Sequence, residues 1–89
     1  MTPRRLGSST LLVLQALARG FRYGFDVMDA TGLPSGTVYP ILSRLEATGL
    51  ARSAWEHPRI ARRQKRPPRR YYEITAAGTV ELDRVIQRV

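Results

Sequence analysis

The sequence predicts one small α+β domain, mainly helical, built as three helices, a two-stranded hairpin and a closing helix. Three observations carry that prediction. The chain has 89 residues, 43% of them apolar, which supports a single modest core. Helix-period apolar stripes recur along it, bounded by glycine or by serine and threonine. Two short aromatic and β-branched runs flank one basic segment, as the strands of a hairpin would.

Residues 1–7 (Met-Thr-Pro-Arg-Arg-Leu-Gly) lack periodicity and read as a short arm. Ser8 or Ser9 is expected to cap a first helix that ends before Gly20, because a serine oxygen can take up a free N–H and glycine accepts the left-handed turn beyond a helix. Leu11, Leu12, Val13, Leu14, Ala16, Leu17 and Ala18 leave only Gln15 and Arg19 polar, so this helix must be covered on more than one side. Tyr23-Gly24 opens a second, short helix with Phe25, Val27, Met28 and Ala30, closed by Thr31-Gly32.

Leu33-Pro34 then makes a turn, and Ser35 is expected to cap a third helix running to about Thr48, with Gly49 ending it. On a helical wheel Val38, Ile41, Leu42 and Leu45 share the inner face. Gly36, Tyr39, Pro40, Ser43 and Ala47 lie opposite, flanked by Thr37 and Arg44, with Glu46 the one acidic neighbour. Pro40 removes one backbone bond early in the helix and predicts a local bend rather than a break. Leu50 to Glu56 and Tyr71 to Thr75 read as hairpin strands joined by a long loop, with one of Tyr71 and Tyr72 inside and the other out. Thr75 can cap a last helix in which Leu82, Val85, Ile86 and Val89 form one stripe.

The charge is local. Fifteen basic residues face seven acidic ones, a formal net charge of +8, and seven of the bases fall between His57 and Arg70 with no acid among them. Such a run is suited to a polyanion, against the plainer reading of a solvated loop. With no Cys and one His, the chain has no disulfide framework, zinc finger or cysteine nucleophile. Phosphate-loop and nucleophile-elbow motifs are absent, Asp26 and Asp29 have only a helix-surface spacing, and His57 reads as a loop residue. The expectation is a non-enzyme with no cofactor and no metal. The longest apolar run, Leu11 to Leu14, is far short of the roughly 20 residues that span a bilayer, and no leader pattern is visible, so no membrane partner and a cytoplasmic location are expected.

Helices two and three joined by a tight turn, followed by a hairpin with a basic loop, describe a winged helix-turn-helix. Tyr23-Gly24-Phe25-Asp26, Gly36-Thr37-Val38-Tyr39-Pro40-Ile41-Leu42, Arg44-Leu45-Glu46, Gly49-Leu50, Trp55-Glu56, Arg66-Pro67-Pro68-Arg69-Arg70-Tyr71-Tyr72-Glu73-Ile74-Thr75 and Gly78 resemble the N-terminal domain of PadR-type transcriptional regulators over about residues 8–82. The resemblance implies a third helix in the DNA major groove, a wing on phosphates or the minor groove, and a dimer that usually represses. The spacing from Tyr23-Gly24 to Gly36-Thr37 is short, so the second helix should be abbreviated. A single helix follows the hairpin where many relatives carry a larger dimerisation and effector domain, which leaves a small-molecule effector open.

The sequence thus points to a single domain over 1–89, a DNA-binding regulator expected to read the major groove with helix 34–48 and to hold phosphates with the wing 57–70. The reading residues are Ser35, Gly36, Thr37, Tyr39, Pro40, Ser43 and Arg44, since hydroxyls and a guanidinium can meet base edges and phosphates while glycine allows close approach. Tyr39 could instead pack against the second helix. Arg62, Arg63, Lys65, Arg66, Arg69 and Arg70 supply the electrostatic component, with Pro67-Pro68 stiffening the strand entry. Trp55 is expected to cover the core from the hairpin rather than stack on a ligand. The surplus apolar surface, Leu11 and Leu14 with Leu82, Val85, Ile86 and Val89, predicts a homodimer through the first helix and a dimerisation helix over 76–89. Double-stranded DNA with a near-palindromic operator is then the expected partner. The competing classes are an architectural nucleic-acid binder with little base readout and a protein-interaction winged helix.

Overall fold

A computed structural model describes residues 7–87. The order is α1 (Ser8–Ala18), α2 (Gly24–Thr31), α3 (Ser35–Ala47), β1 (Ala51–Trp55), α4 (Pro58–Arg63), β2 (Arg70–Ile74) and α5 (Ala76–Gln87). The strands pair antiparallel, Ala51 opposite Ile74 and Trp55 opposite Arg70. On the far side of β2, Tyr23 forms an isolated bridge to Tyr71, and Tyr72 N–H donates to the Arg22 carbonyl at 2.8 Å. The segment entering α2 is thereby stitched to the hairpin.

The core is made where α1, α2 and α3 meet the hairpin and α5. Val13, Leu14, Val27, Val38 and Leu42 have no exposed surface, and Ala16, Leu17, Ile41, Leu45, Ala51, Tyr72 and Leu82 complete the cluster. The inner face of α3 matches the expected set residue for residue. Tyr72 points inward, while Tyr71 lies half-buried against Tyr23, ring centroids 6.4 Å apart in an edge-on arrangement. Two members of the expected dimer surface are corrected here. Leu14 and Leu82 are buried inside the chain's own core because α5 folds back onto α1. Leu11 and Val85 remain half-buried, Leu12 and Ile86 are exposed, and Val89 lies outside the described residues, as do residues 1–6 of the arm.

The helix ends differ in part from the expected caps. Gly7 rather than Ser8 or Ser9 occupies the cap position of α1, and Pro34 rather than Ser35 that of α3. Pro34 suits it because the ring holds φ at −74° in the extended conformation a cap requires. Its carbonyl accepts from the N–H groups of Thr37 and Val38, both at 3.0 Å, which leaves the Ser35 hydroxyl unused by the helix. Helix α3 runs on through Pro40. Thr75 does cap α5: its hydroxyl accepts from Gly78 N–H at 3.0 Å and donates to the Gly49 carbonyl at 2.6 Å. Gly78 is required at that spot, since a Cβ there would run into the Leu50 carbonyl and the Ile74 side chain.

The wing departs furthest from expectation. Instead of an open loop it carries the short helix α4. His57 caps it, Nδ1 accepting from Arg59 N–H at 3.0 Å, Pro58 fills the first turn, and Ala61 is buried. The helix ends in a paired turn, Arg66 N–H to the Ala61 carbonyl and Lys65 N–H to the Arg62 carbonyl, both at 3.1 Å. Gly49 closes α3 in the same way with φ 79°, but at the wing the left-handed position is held by Lys65 at φ 56°.

Candidate nucleic-acid interface

The turn Gly32–Pro34 sets α3 against α2 so that one face is sealed and the other stands free. Ser35, Gly36, Tyr39, Pro40, Ser43, Arg44 and Ala47 are exposed, and Thr37 is half-buried. Tyr39 serves two surfaces: its ring lies against the backbone of Gly24, where a Cβ would collide with it, yet 46% of the residue remains open. Gly24 is therefore the residue that lets α2 and the Tyr39 ring approach. Proline has no N–H to return to the carbonyl four residues earlier, so Pro40 leaves the Gly36 carbonyl as an acceptor on this same face.

Glu46, the acid on the flank, is neutralised. Its carboxylate accepts from the Ser53 hydroxyl and from Arg70 Nη2 at 3.3 Å, and the Ser53 hydrogen bond, followed by the Arg70 charge, holds the carboxyl below its usual pKa. Arg70 also donates to Ser53 and lies over the Trp55 ring at 5.8 Å. Trp55 does not cover the core; it is 65% exposed and borders an open cleft with Glu56, His57, Pro58, Pro68 and Tyr71. Strand alternation puts Trp55 on the face of buried Ala51 and half-buried Ser53, but at the opposite end of β1 from Ala51.

The second acid, Glu56, is 4% exposed and fully satisfied. Arg66 donates to it through both terminal nitrogens, at 2.6 and 2.9 Å, the Tyr23 hydroxyl at 3.0 Å and Arg69 N–H at 3.4 Å. The Arg66 hydrogen bonds lead in holding the Glu56 pKa down to about 2, against the opposing effect of burial. Tyr23 is pushed up, chiefly by burial and then by its bond to Glu56.

The seven wing cations thus divide. Arg66 is consumed by Glu56, a correction to its place among the phosphate contacts, and Arg70 is committed to Glu46 and Ser53 while remaining partly open. Among the described residues, Arg59, Arg62, Arg63, Lys65 and Arg69 form no ion pair and are exposed. Arg59 belongs with this set although sequence reasoning left it out. Once α4 is seen, its place beside Arg62 and Arg63 on one short helix is the signal. Among the same residues no cluster of His, Cys, Asp or Glu could hold a metal, and no helix is long and apolar enough to cross a membrane.

The fold that holds this helix face and wing is shared with known proteins. The family model described as the transcriptional regulator PadR-like family matches residues 13–84. The chain belongs to that family. Its fold is similar to a PadR family transcriptional regulator from Eggerthella lenta, with TM-score 0.72 and 30% identity, covering 89% of this chain and 69% of that one. A PadR family regulator from Clostridium difficile shares the fold at TM-score 0.80 and 24% identity, over 92% and 86% of the two chains. The Bordetella bronchiseptica protein BpsR, whose DNA binding is regulated by 6-hydroxynicotinic acid, is similar at TM-score 0.75 and 25% identity over 93% of this chain. This PadR-like chain spans about half of BpsR, 55% of its length. No curated protein matches the sequence.

Proposed function

We propose that this PadR-like chain is a sequence-specific DNA-binding repressor without catalytic activity, acting in the cytoplasm as a homodimer on a near-palindromic operator. The observation that carries the reading is the acid-free outward face of α3, its one acidic neighbour tied up by Ser53 and Arg70, standing beside a wing with five unpaired cations. Ser35, Thr37, Tyr39 and Ser43 offer hydroxyls and Arg44 a guanidinium to base edges, while Gly36 and Ala47 allow the groove wall to approach. Arg59, Arg62, Arg63, Lys65 and Arg69 neutralise phosphates irrespective of sequence. Bound at a promoter, such a protein excludes polymerase.

The dimer reading rests on the surface α1 and α5 leave open: Leu12 and Ile86 exposed, with Leu11 and Val85 half-buried. A two-fold axis through this patch would set two α3 helices about 34 Å apart, one turn of DNA. Sedimentation at micromolar concentration is expected to give twice the chain mass and the chain mass alone for Ile86→Asp. A wild-type monomer would remove the dimer and the palindrome together.

Selection of bound duplexes from a random pool tests the function itself. One dominant motif is expected. Recovery of an unenriched pool with salt-sensitive binding would leave an architectural protein, and no duplex binding beyond that of a free basic peptide would leave a protein-docking winged helix.

A further inference from the structure

Residues 57–65 leave the hairpin as a nine-residue excursion that carries Arg59, Arg62, Arg63 and Lys65. Its two ends are the neighbours in sequence of Glu56 and Arg66, and these two close the neck with paired hydrogen bonds at 2.6 and 2.9 Å. Below the neck the ladder continues, Glu56 N–H donating to the Arg69 carbonyl at 2.7 Å. The Tyr23 hydroxyl reaches the same carboxylate from the residue that opens α2, the first helix of the helix-turn-helix. One buried carboxylate therefore joins both ends of the excursion and the entry to α2.

We propose that Glu56 is the positioning residue of the wing, fixing through Tyr23 and Arg66 the stance of α4 and its cations against the helix-turn-helix. The left-handed Lys65 supports this: only that reversal brings Arg66 back over the neck, and a non-glycine residue holds such a backbone where surrounding structure enforces it. Removing one partner of a buried pair leaves the other unmatched, so the clamp is either closed or strongly disfavoured. Its contribution to DNA binding rests on the proposed wing–phosphate contact; its contribution to wing order does not.

Two readouts separate those levels. In Glu56→Gln, amide hydrogen exchange over residues 58–66 is expected to quicken at least about tenfold while exchange in α1 and α3 holds. On duplex DNA the slope of log K against log salt is expected to fall by about 1 or more, the worth of at least one phosphate, with the operator-to-random affinity ratio within about twofold of wild type. Arg66→Gln should reproduce both effects, and the double variant should lose no more than either single one. If Glu56→Gln fails to fold, Arg66→Gln gives the same two readouts. Unchanged exchange over 58–66 in the folded variants would overturn the proposal, as would additive losses in the double variant. Faster exchange with an unaltered salt slope would retain the clamp and instead reject the wing as the phosphate contact.

Discussion

Between Ser35 and Arg44 the outward face of α3 carries four hydroxyl-bearing side chains and one cation, whereas residues 57–65 of the wing carry four cations and no hydroxyl. The first surface is rich in groups that distinguish one base edge from another and poor in charge. The second attracts any phosphate and distinguishes none. They are also held differently. Helix α3 is fixed by a continuous apolar face, Val38, Ile41, Leu42 and Leu45, but of α4 only Ala61 is buried. Orientation of the wing therefore falls to polar links, with Glu56–Arg66 buried and Glu46–Arg70 open to water. Polar links of the second kind contribute little on their own. The division predicts that specificity and affinity can be altered separately.

The largest separable effect is expected from the wing. Replacing Arg62 and Arg63 together with Ala should reduce the salt slope by up to about 1.8 for every duplex, two phosphates at about 0.9 each, and leave sequence preference intact. Binding isotherms across a salt series on operator and random duplexes measure both quantities.

Acid should loosen the wing before the core. Glu56 is held at a pKa of about 2, below its ordinary value of 4.5, so the stability it contributes is complete above the ordinary value and is lost as pH falls toward 2. Glu46, lowered by Ser53 and Arg70, contributes in the same sense. The protection of amides over 58–66 in the free protein, taken relative to the intrinsic exchange rate at each pH, should fall on going from about pH 5 to about pH 2.5, and Glu56→Gln should flatten that dependence.

A smaller change comes from Lys65→Gly. Relief of the left-handed backbone should add up to about 1 kcal/mol to stability by chemical denaturation. The loss of one cation should reduce the salt slope by up to about 0.9. Gain in fold with loss in affinity is the pattern expected where a strained residue is retained for its charge.

What the sequence disclosed follows the same line. Helices with apolar periodicity, the short α2, the strand pair and the Thr75 cap were legible because each is written in neighbouring residues. Helix α4 was not, since six residues with Ala61 as the only buried one have no periodicity to detect; its signals are the His57-Pro58 start and the Lys65 turn. Arg66 and Arg70 looked like the other wing cations because their partners, Glu56 and Glu46, lie 10 and 24 residues away and meet them only in the fold. Leu14 and Leu82 looked surplus until α5 was seen to return onto α1.

Thr37→Ala on the selected operator and on a random duplex of equal length tests the central claim most directly, because Thr37 sits on the reading face and its hydroxyl forms no hydrogen bond among the described residues, while its backbone bond to Pro34 survives the substitution. A loss of about 1 to 3 kcal/mol on the operator, with random-duplex affinity nearly unchanged, is the predicted result. Equal losses on the two duplexes would contradict the assignment of reading to α3 and holding to the wing.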